Sequence, residues 1–185
     1  MLKKVLLYSS LVIIVSCNKK SATPDIQPTI GARYKGGVVG YILKPGDPGY
    51  SSTEIHGLIL AEQTNYAIWG CENNYLGTTV KDFGSGEANT NNIISGCNTP
   101  GIAARFCADL ELNGFNDWFL PSFDELKLIK PNWRTIGGFD STVAYWTSSE
   151  LGRDHSLTLF MPDTTQNYSA WLKSISKAYR PVRRF

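Results

Sequence analysis

The chain has 185 residues, 42% of them apolar and 18% charged, which excludes both a disordered polymer and a chain embedded in a membrane throughout. Its formal net charge of +2 vanishes once Lys3 and Lys4 are set aside, so the rest exerts no global pull on nucleic acid or an anionic membrane. The 17 glycines and 12% aromatics point to many tight turns between aromatic-rich strands.

Met1-Leu2-Lys3-Lys4 is a short basic start to an apolar run from Val5 to Val15, broken only by Tyr8, Ser9 and Ser10. That run is short for a permanent span and suits a secretory signal. It ends Ile14-Val15-Ser16-Cys17, which resembles a bacterial lipobox. The resemblance implies cleavage before Cys17 and acyl chains on it, so residues 1–17 are expected to be a lipoprotein signal and Cys17 the membrane anchor. Asn18 stands where an aspartate would favour inner-membrane retention, so the expected location is the outer membrane, facing the surface or the periplasm. Residues 18–33 have tether composition, and 34–185 is expected to be the folded domain.

Gly36 to Leu43 reads as a strand with close backbone approaches at its glycines, His56 to Ala61 as a second, and Ala67-Ile68-Trp69 as a third. Gly70 to Gly86 is loop-like. Glu87 to Gly96 is expected to be a polar-rich helix stopped by glycine. Ile102, Phe106 and Leu110 recur at helical spacing, with Ala103 and Cys107 on the same face, for a second helix. Trp118-Phe119-Leu120 reads as a buried strand ended by Pro121. Ser122 then caps a further helix, with Glu125 completing a capping box. Ala144 to Thr147, Ser156 to Met161, Ser169 to Leu172 and Ala178 to Phe185 close the chain as an antiparallel strand run. Helices followed by such a run give an α+β class with two main helices, without the βαβα alternation of a nucleotide-binding sheet.

Little in the chain carries chemistry. His56 and His155 have no CxxC or second histidine at metal-ligand spacing, and no G-x-S-x-G occurs. Asp124 and Glu125 point apart on a helix, and Glu125 already has a capping role. Gly84-Ser85-Gly86 lacks the third glycine and preceding strand of a phosphate cradle, and reads as a turn. No catalytic residue, metal or cofactor is expected, and no nucleic-acid partner. Lys173, Lys177, Arg180, Arg183 and Arg184 crowd the C-terminus, but strand alternation sends them to different faces, where some should pair with carboxylates.

A set of short segments runs through nearly the whole mature chain in order: Gly36-Gly37-Val38-Val39, His56-Gly57-Leu58-Ile59, Ala67-Ile68-Trp69-Gly70-Cys71, Gly86-Glu87-Ala88-Asn89-Thr90, Ala103-Ala104-Arg105-Phe106-Cys107, Asp117 to Ser122, Asp124-Glu125-Leu126, Tyr145 to Glu150 and Tyr179 to Arg183. In this combination the chain resembles a bacterial family of unknown-function domains that includes the C-terminal domain of a Legionella collagen-like adhesin. That family looks related to the formylglycine-generating-enzyme branch of the C-type-lectin-like fold. The resemblance implies two main helices, a small twisted antiparallel sheet and long irregular loops. It also implies noncovalent binding of an extracellular protein or glycan by a surface lipoprotein. Some relatives diversify the C-terminal part of the domain through retroelements, so the expected ligand face runs from Tyr145 to Trp171. Its candidate residues are Tyr145, Glu150, Arg153, Asp154, His155, Asn167, Tyr168 and Trp171, a mix of aromatic anchors and adaptable polar groups. The competing expectations are a degenerate enzyme of the sulfatase-modifying-factor-like fold and a structural subunit of an envelope assembly.

The reactive cysteine pair of formylglycine-generating enzymes has no counterpart, because no cysteine follows Cys107. Of the three pairings open to the mature cysteines in an oxidising compartment, Cys71 with Cys97 is expected, since Cys107 falls on an apolar helix face. Replacing the anchor tests the lipobox: Cys17→Ala should leave the protein unlipidated and in the aqueous phase of a detergent partition. Unchanged partition with the membrane fraction would refute it.

Overall fold

The structure, a computed structural model, describes residues 27–77, 80–162 and 168–185; the signal segment, Cys17 and Asn167 lie outside the described residues. The strands are β1 (Arg33–Tyr34), β2 (Gly37–Ile42), β3 (Gly57–Leu60), β4 (Asn65–Ala67), β5 (Ala144–Glu150), β6 (His155–Phe160), β7 (Ser169–Leu172), β8 (Lys177–Tyr179) and β9 (Val182–Arg184). The helices are α1 (Gly86–Gly96), α2 (Ala103–Ala108), α3 (Phe123–Ile129) and the single turn α4 (Trp133–Ile136).

Bare glycine lets the first sheet close up. A Cβ on Gly37 would meet the Leu60 carbonyl oxygen at 2.3 Å, and one on Gly57 would meet the Tyr41 oxygen at 2.1 Å. The sheet has the order β1-β2-β3-β9, antiparallel throughout. The second sheet has the order β4-β8-β5-β6-β7, and its one parallel pair, β5 with β8, is in register at Tyr145 and Ala178. The fold is thus α+β, but with two sheets where one small antiparallel sheet was expected.

The expected final strand, Ala178 to Phe185, is divided between the sheets. Arg180 and Pro181 make the break: proline has no N–H for a ladder, and the Arg180 guanidinium is turned inward onto the carbonyls of Ala61, Glu62 and Gly137. Burial lowers the pKa of this guanidinium to about 10. The chain also joins the fold before Tyr34. Gly31, at φ +83, donates to the Val39 carbonyl, and Ile30 packs against the core beneath the first sheet, so residues 27–33 are not free tether.

Trp118-Phe119-Leu120 forms no strand of its own. Phe119 makes a single antiparallel bridge to Val182, which covers the outer edge of β9. Helix α1 begins one residue before the expected Glu87 start, and α2 is shorter than its periodicity suggested. Phe106 is 49% exposed and stacks on Tyr179, while Ala103, Ala104 and Cys107 provide the buried face. In α3 the capping box is complete: Glu125 N–H donates to Ser122 Oγ, and Ser122 N–H donates to Glu125 Oε2.

The segment from Asp117 to Leu126 joins these parts. Asp117 takes a two-pronged ion pair from Arg183, whose hydrogen bonds, helped by its charge, hold the carboxyl below its usual pKa. Trp118 is 2% exposed among Ile59 and Ala61, with its indole N–H on the Phe115 carbonyl. Leu120 N–H donates to Thr90 on α1, and Pro121 accepts from Ser148 on β5. Trp118→Ala should therefore destabilise the domain by about 3–5 kcal/mol, through lost burial and a cavity beside the first sheet. Urea denaturation measures this, and an unshifted midpoint would contradict it.

Candidate ligand-binding site

The eight residues expected to form one ligand face are scattered by the fold. Tyr145 is wholly buried. Its hydroxyl accepts from Asp140 N–H and contacts Thr64 Oγ1 at 2.7 Å, and burial raises its pKa. Glu150 is buried too, with its side chain fully sequestered against Lys173. Neither reaches solvent, so both leave the candidate face. The reason is that β5 is covered on both sides, by α3 on one and by α1 with the Trp69 cluster on the other.

Glu150 instead anchors a loop. Its carboxylate accepts the Leu76 and Gly77 N–H groups, each at 3.1 Å. Lys173 Nζ donates to Glu150 and to the Asn74 carbonyl, and lies 4.7 Å from the Trp69 ring centroid. Asp154 accepts from Asn73 N–H, and Cys71 is bridged to Cys97 as expected, with Cys107 left as a buried thiol.

Arg153, in the β5–β6 turn, and His155, the first residue of β6, are exposed. Tyr168, 52% exposed, lies edge-on to Phe123 and under the Lys81 ammonium. Ser169, at the start of β7, pairs with Thr158, three residues along β6 from His155 and so about 10 Å from it. Trp171, 42% exposed, lines a cavity.

That cavity is an open groove of about 500 Å³ where β5 and β8 begin. Trp171, Tyr66 and Phe160 supply its aromatic walls, and Thr142, Ser169 and Ser176 its hydroxyls. The Lys177 ammonium rests 3.2 Å from the centre of the Trp171 ring, and burial lowers its pKa. Tyr66 is held by donating to Asp140, itself fixed by Thr142. The groove therefore combines oriented aromatic faces, a cation and hydroxyls, which suits noncovalent recognition. Tyr66 and Lys177 were not singled out for it in the sequence, because they lie 105 and 6 positions from Trp171 and no local pattern joins them.

A second cavity, of about 360 Å³, lies between Leu43, Leu58, Phe83 and Phe185, with His56 and Arg184 at its rim. Its polar groups are already engaged: His56 with the Phe185 carbonyl and Glu54, Arg184 with the Gly84 carbonyl and Glu87. Gly84-Ser85-Gly86 does meet an anion, but one from its own chain. Gly84 N–H donates to Glu125 Oε1, and a Cβ on Gly86 would lie 2.1 Å from Glu125 Oε2. Burial nevertheless raises the Glu125 pKa, against these N–H groups and the Arg184 charge. Among the described residues, no three His, Cys, Asp or Glu side chains are grouped so as to hold a metal ion. No helix among them is long and apolar enough to cross a membrane.

No family model matches the chain, and no curated protein matches it. Among solved structures it is similar to a fimbrial protein from Bacteroides ovatus ATCC 8483, with a TM-score of 0.55 at 14% sequence identity. The match covers 80% of this chain and 43% of that one, so this chain spans less than half the length of its neighbour. At such identity the likeness concerns the fold alone.

Lys173→Met tests the buried anchor. It should cost about 3–5 kcal/mol by leaving the Glu150 carboxylate buried without its cation, and should open the Asn73–Gly77 loop to proteolysis. Unchanged urea stability and an unchanged digest would show that the pair does not hold the loop.

Proposed function

We propose that this protein is a surface lipoprotein whose C-type-lectin-like domain recognises a protein or glycan noncovalently, held at the outer membrane through Cys17. The observation that carries this reading is the groove at the start of β5 and β8, where exposed Trp171 and Tyr66 stand beside hydroxyls and Lys177. Aromatic anchors in a concave, partly polar setting concentrate binding energy in few residues. The histidines offer no nucleophile–base–orienter arrangement: His56 is taken up by Phe185 and Glu54, and His155 is exposed at a strand start. The domain is therefore read as a binding module and not as an enzyme. The fimbrial neighbour accords with a place at the cell surface. It also favours a second reading, in which the protein is a structural subunit of an envelope assembly.

The test is a binding screen of the soluble domain, residues 27–185, on glycan and peptide arrays, repeated with two variants. Trp171→Ala should cost about 2 kcal/mol, roughly thirtyfold in affinity, while Tyr75→Ala, at an exposed ring outside the groove, should bind as the parent does. Equal binding by the parent and Trp171→Ala would place recognition elsewhere. Stable co-purification with one envelope protein, insensitive to Trp171→Ala, would favour the subunit reading.

A further inference from the structure

Most of the C-terminal cations are spent on their own chain. Lys173 neutralises Glu150, Arg183 pairs with Asp117, Arg180 is turned onto carbonyl oxygens, and Arg184 holds the Gly84 carbonyl and Glu87. Lys177 is the exception among the described residues. Its ammonium lies against the Trp171 ring, burial lowers its pKa, and no carboxylate offsets the lost water. The nearby carboxylate of Asp140 is already taken by the Tyr66 hydroxyl and by the N–H and hydroxyl of Thr142. The groove therefore offers a cation that lacks a counterion, and no free anion of its own.

The shape of the groove suits a chain lying across the strands. Lys177 is on β8, Ala144 on β5, Phe160 on β6 and Trp171 on β7, four neighbouring strands. Three inter-strand spacings span about 14 Å, the length of roughly four extended residues. Along this path the hydroxyls of Thr142, Ser169 and Ser176 can each donate or accept, which matches the alternating N–H and C=O groups of a peptide. No described Asn, Gln, Asp or Glu lines the groove, so it lacks the paired donors and acceptors that would grip the adjacent hydroxyls of a sugar. The Lys177 ammonium also covers a face of the Trp171 indole on which a sugar ring would otherwise stack.

We propose that the groove takes a short extended peptide segment bearing a carboxylate, seated across β8, β5, β6 and β7 with the carboxylate on Lys177 and apolar side chains against Phe160 and Val143. This rests on the groove being the binding site, and goes further by choosing peptide over glycan and acid over neutral. Lys177 sets the choice of charge, while the aromatic walls supply contact area. A neutral segment would cover the ammonium without pairing it, and a basic one would meet repulsion. The carboxylate can come from an acidic side chain or from a chain terminus.

The full-length protein in detergent is tested on arrays of pentapeptides with Ala, Ser, Leu or Phe at the outer positions and Glu, Gln or Lys at the centre, both ends blocked. A further Gln set keeps its C-terminal carboxylate free, and tetragalacturonate is the acidic glycan probe. The best Glu peptides should bind about tenfold more tightly than their Gln counterparts, and Lys peptides should not bind. Lys177→Met should erase the preference for Glu, whereas Trp171→Ala should weaken Glu and Gln peptides alike. A stronger gain in the free-terminus set would identify a chain end as the source of the carboxylate and support the same pairing. Glu and Gln peptides bound equally by the parent would overturn the proposal whether or not Lys177→Met folds. So would a Glu preference that survives Lys177→Met, an absence of peptide binding, or tighter Lys177-dependent binding of tetragalacturonate. Equal Glu and Gln binding that Trp171→Ala abolishes would leave the groove standing without the charge selection, while peptide binding indifferent to Trp171→Ala would remove the groove itself.

Discussion

The buried carboxylate of Glu125 is the constraint on which the architecture turns. It sits with no exposed side-chain surface, and receives N–H donors from Ser122, the residue before its own helix, and from Gly84, before α1. An uncompensated charge there would be costly, so both helix entries must stay in place for the carboxylate to be satisfied. Ser122 carries the same demand outward, since its hydroxyl donates to Asp82 while accepting from Glu125. Beside it, Phe123 N–H bonds to Ser149 Oγ on β5. One capped corner thus fixes the first sheet, α1, α3 and the second sheet relative to one another.

This explains where polar character collects. The C-terminal basic residues look in sequence like a cationic patch, but most serve as internal fasteners. Arg180 satisfies carbonyls at the break between the sheets, Arg183 fixes Asp117 and the Lys35 carbonyl, and Lys173 neutralises Glu150. Lys177 is different. It finds no carboxylate among the described residues and rests on Trp171, which leaves a cation at the groove.

Local rules were legible in the sequence wherever neighbouring residues sufficed to enforce them. The Ser122–Glu125 box, the end of α1 at Gly96 and the span of β7 were all legible from patterns within a few positions. The disulfide was legible because only three cysteines follow Cys17 and one lay on a helix face. Long-range pairing was not. Nothing near Glu150 signals that Lys173 will bury it, and nothing near Tyr145 signals that the sheet will be covered on both faces. The division of the last strand depends on where Arg180 finds carbonyl oxygens, more than a hundred positions upstream in the case of Ala61 and Glu62. The candidate site suffered most from this: of its described members, Trp171 alone lines the groove.

The loop from Asn73 to Gly77 is held through its backbone groups and through the side chain of Leu76. Glu150 reads the amides of Leu76 and Gly77, Lys173 reads the carbonyl of Asn74, and Asp154 reads the amide of Asn73. These contacts ask nothing of the side chains of Asn74 and Tyr75, whereas Asn73 and Gly77 sit at positive φ and Leu76 packs against the core. Tyr75, exposed at the crest, is thereby uncoupled from the loop's attachment. In evolutionary terms this is a place where surface chemistry can drift while the scaffold stays put.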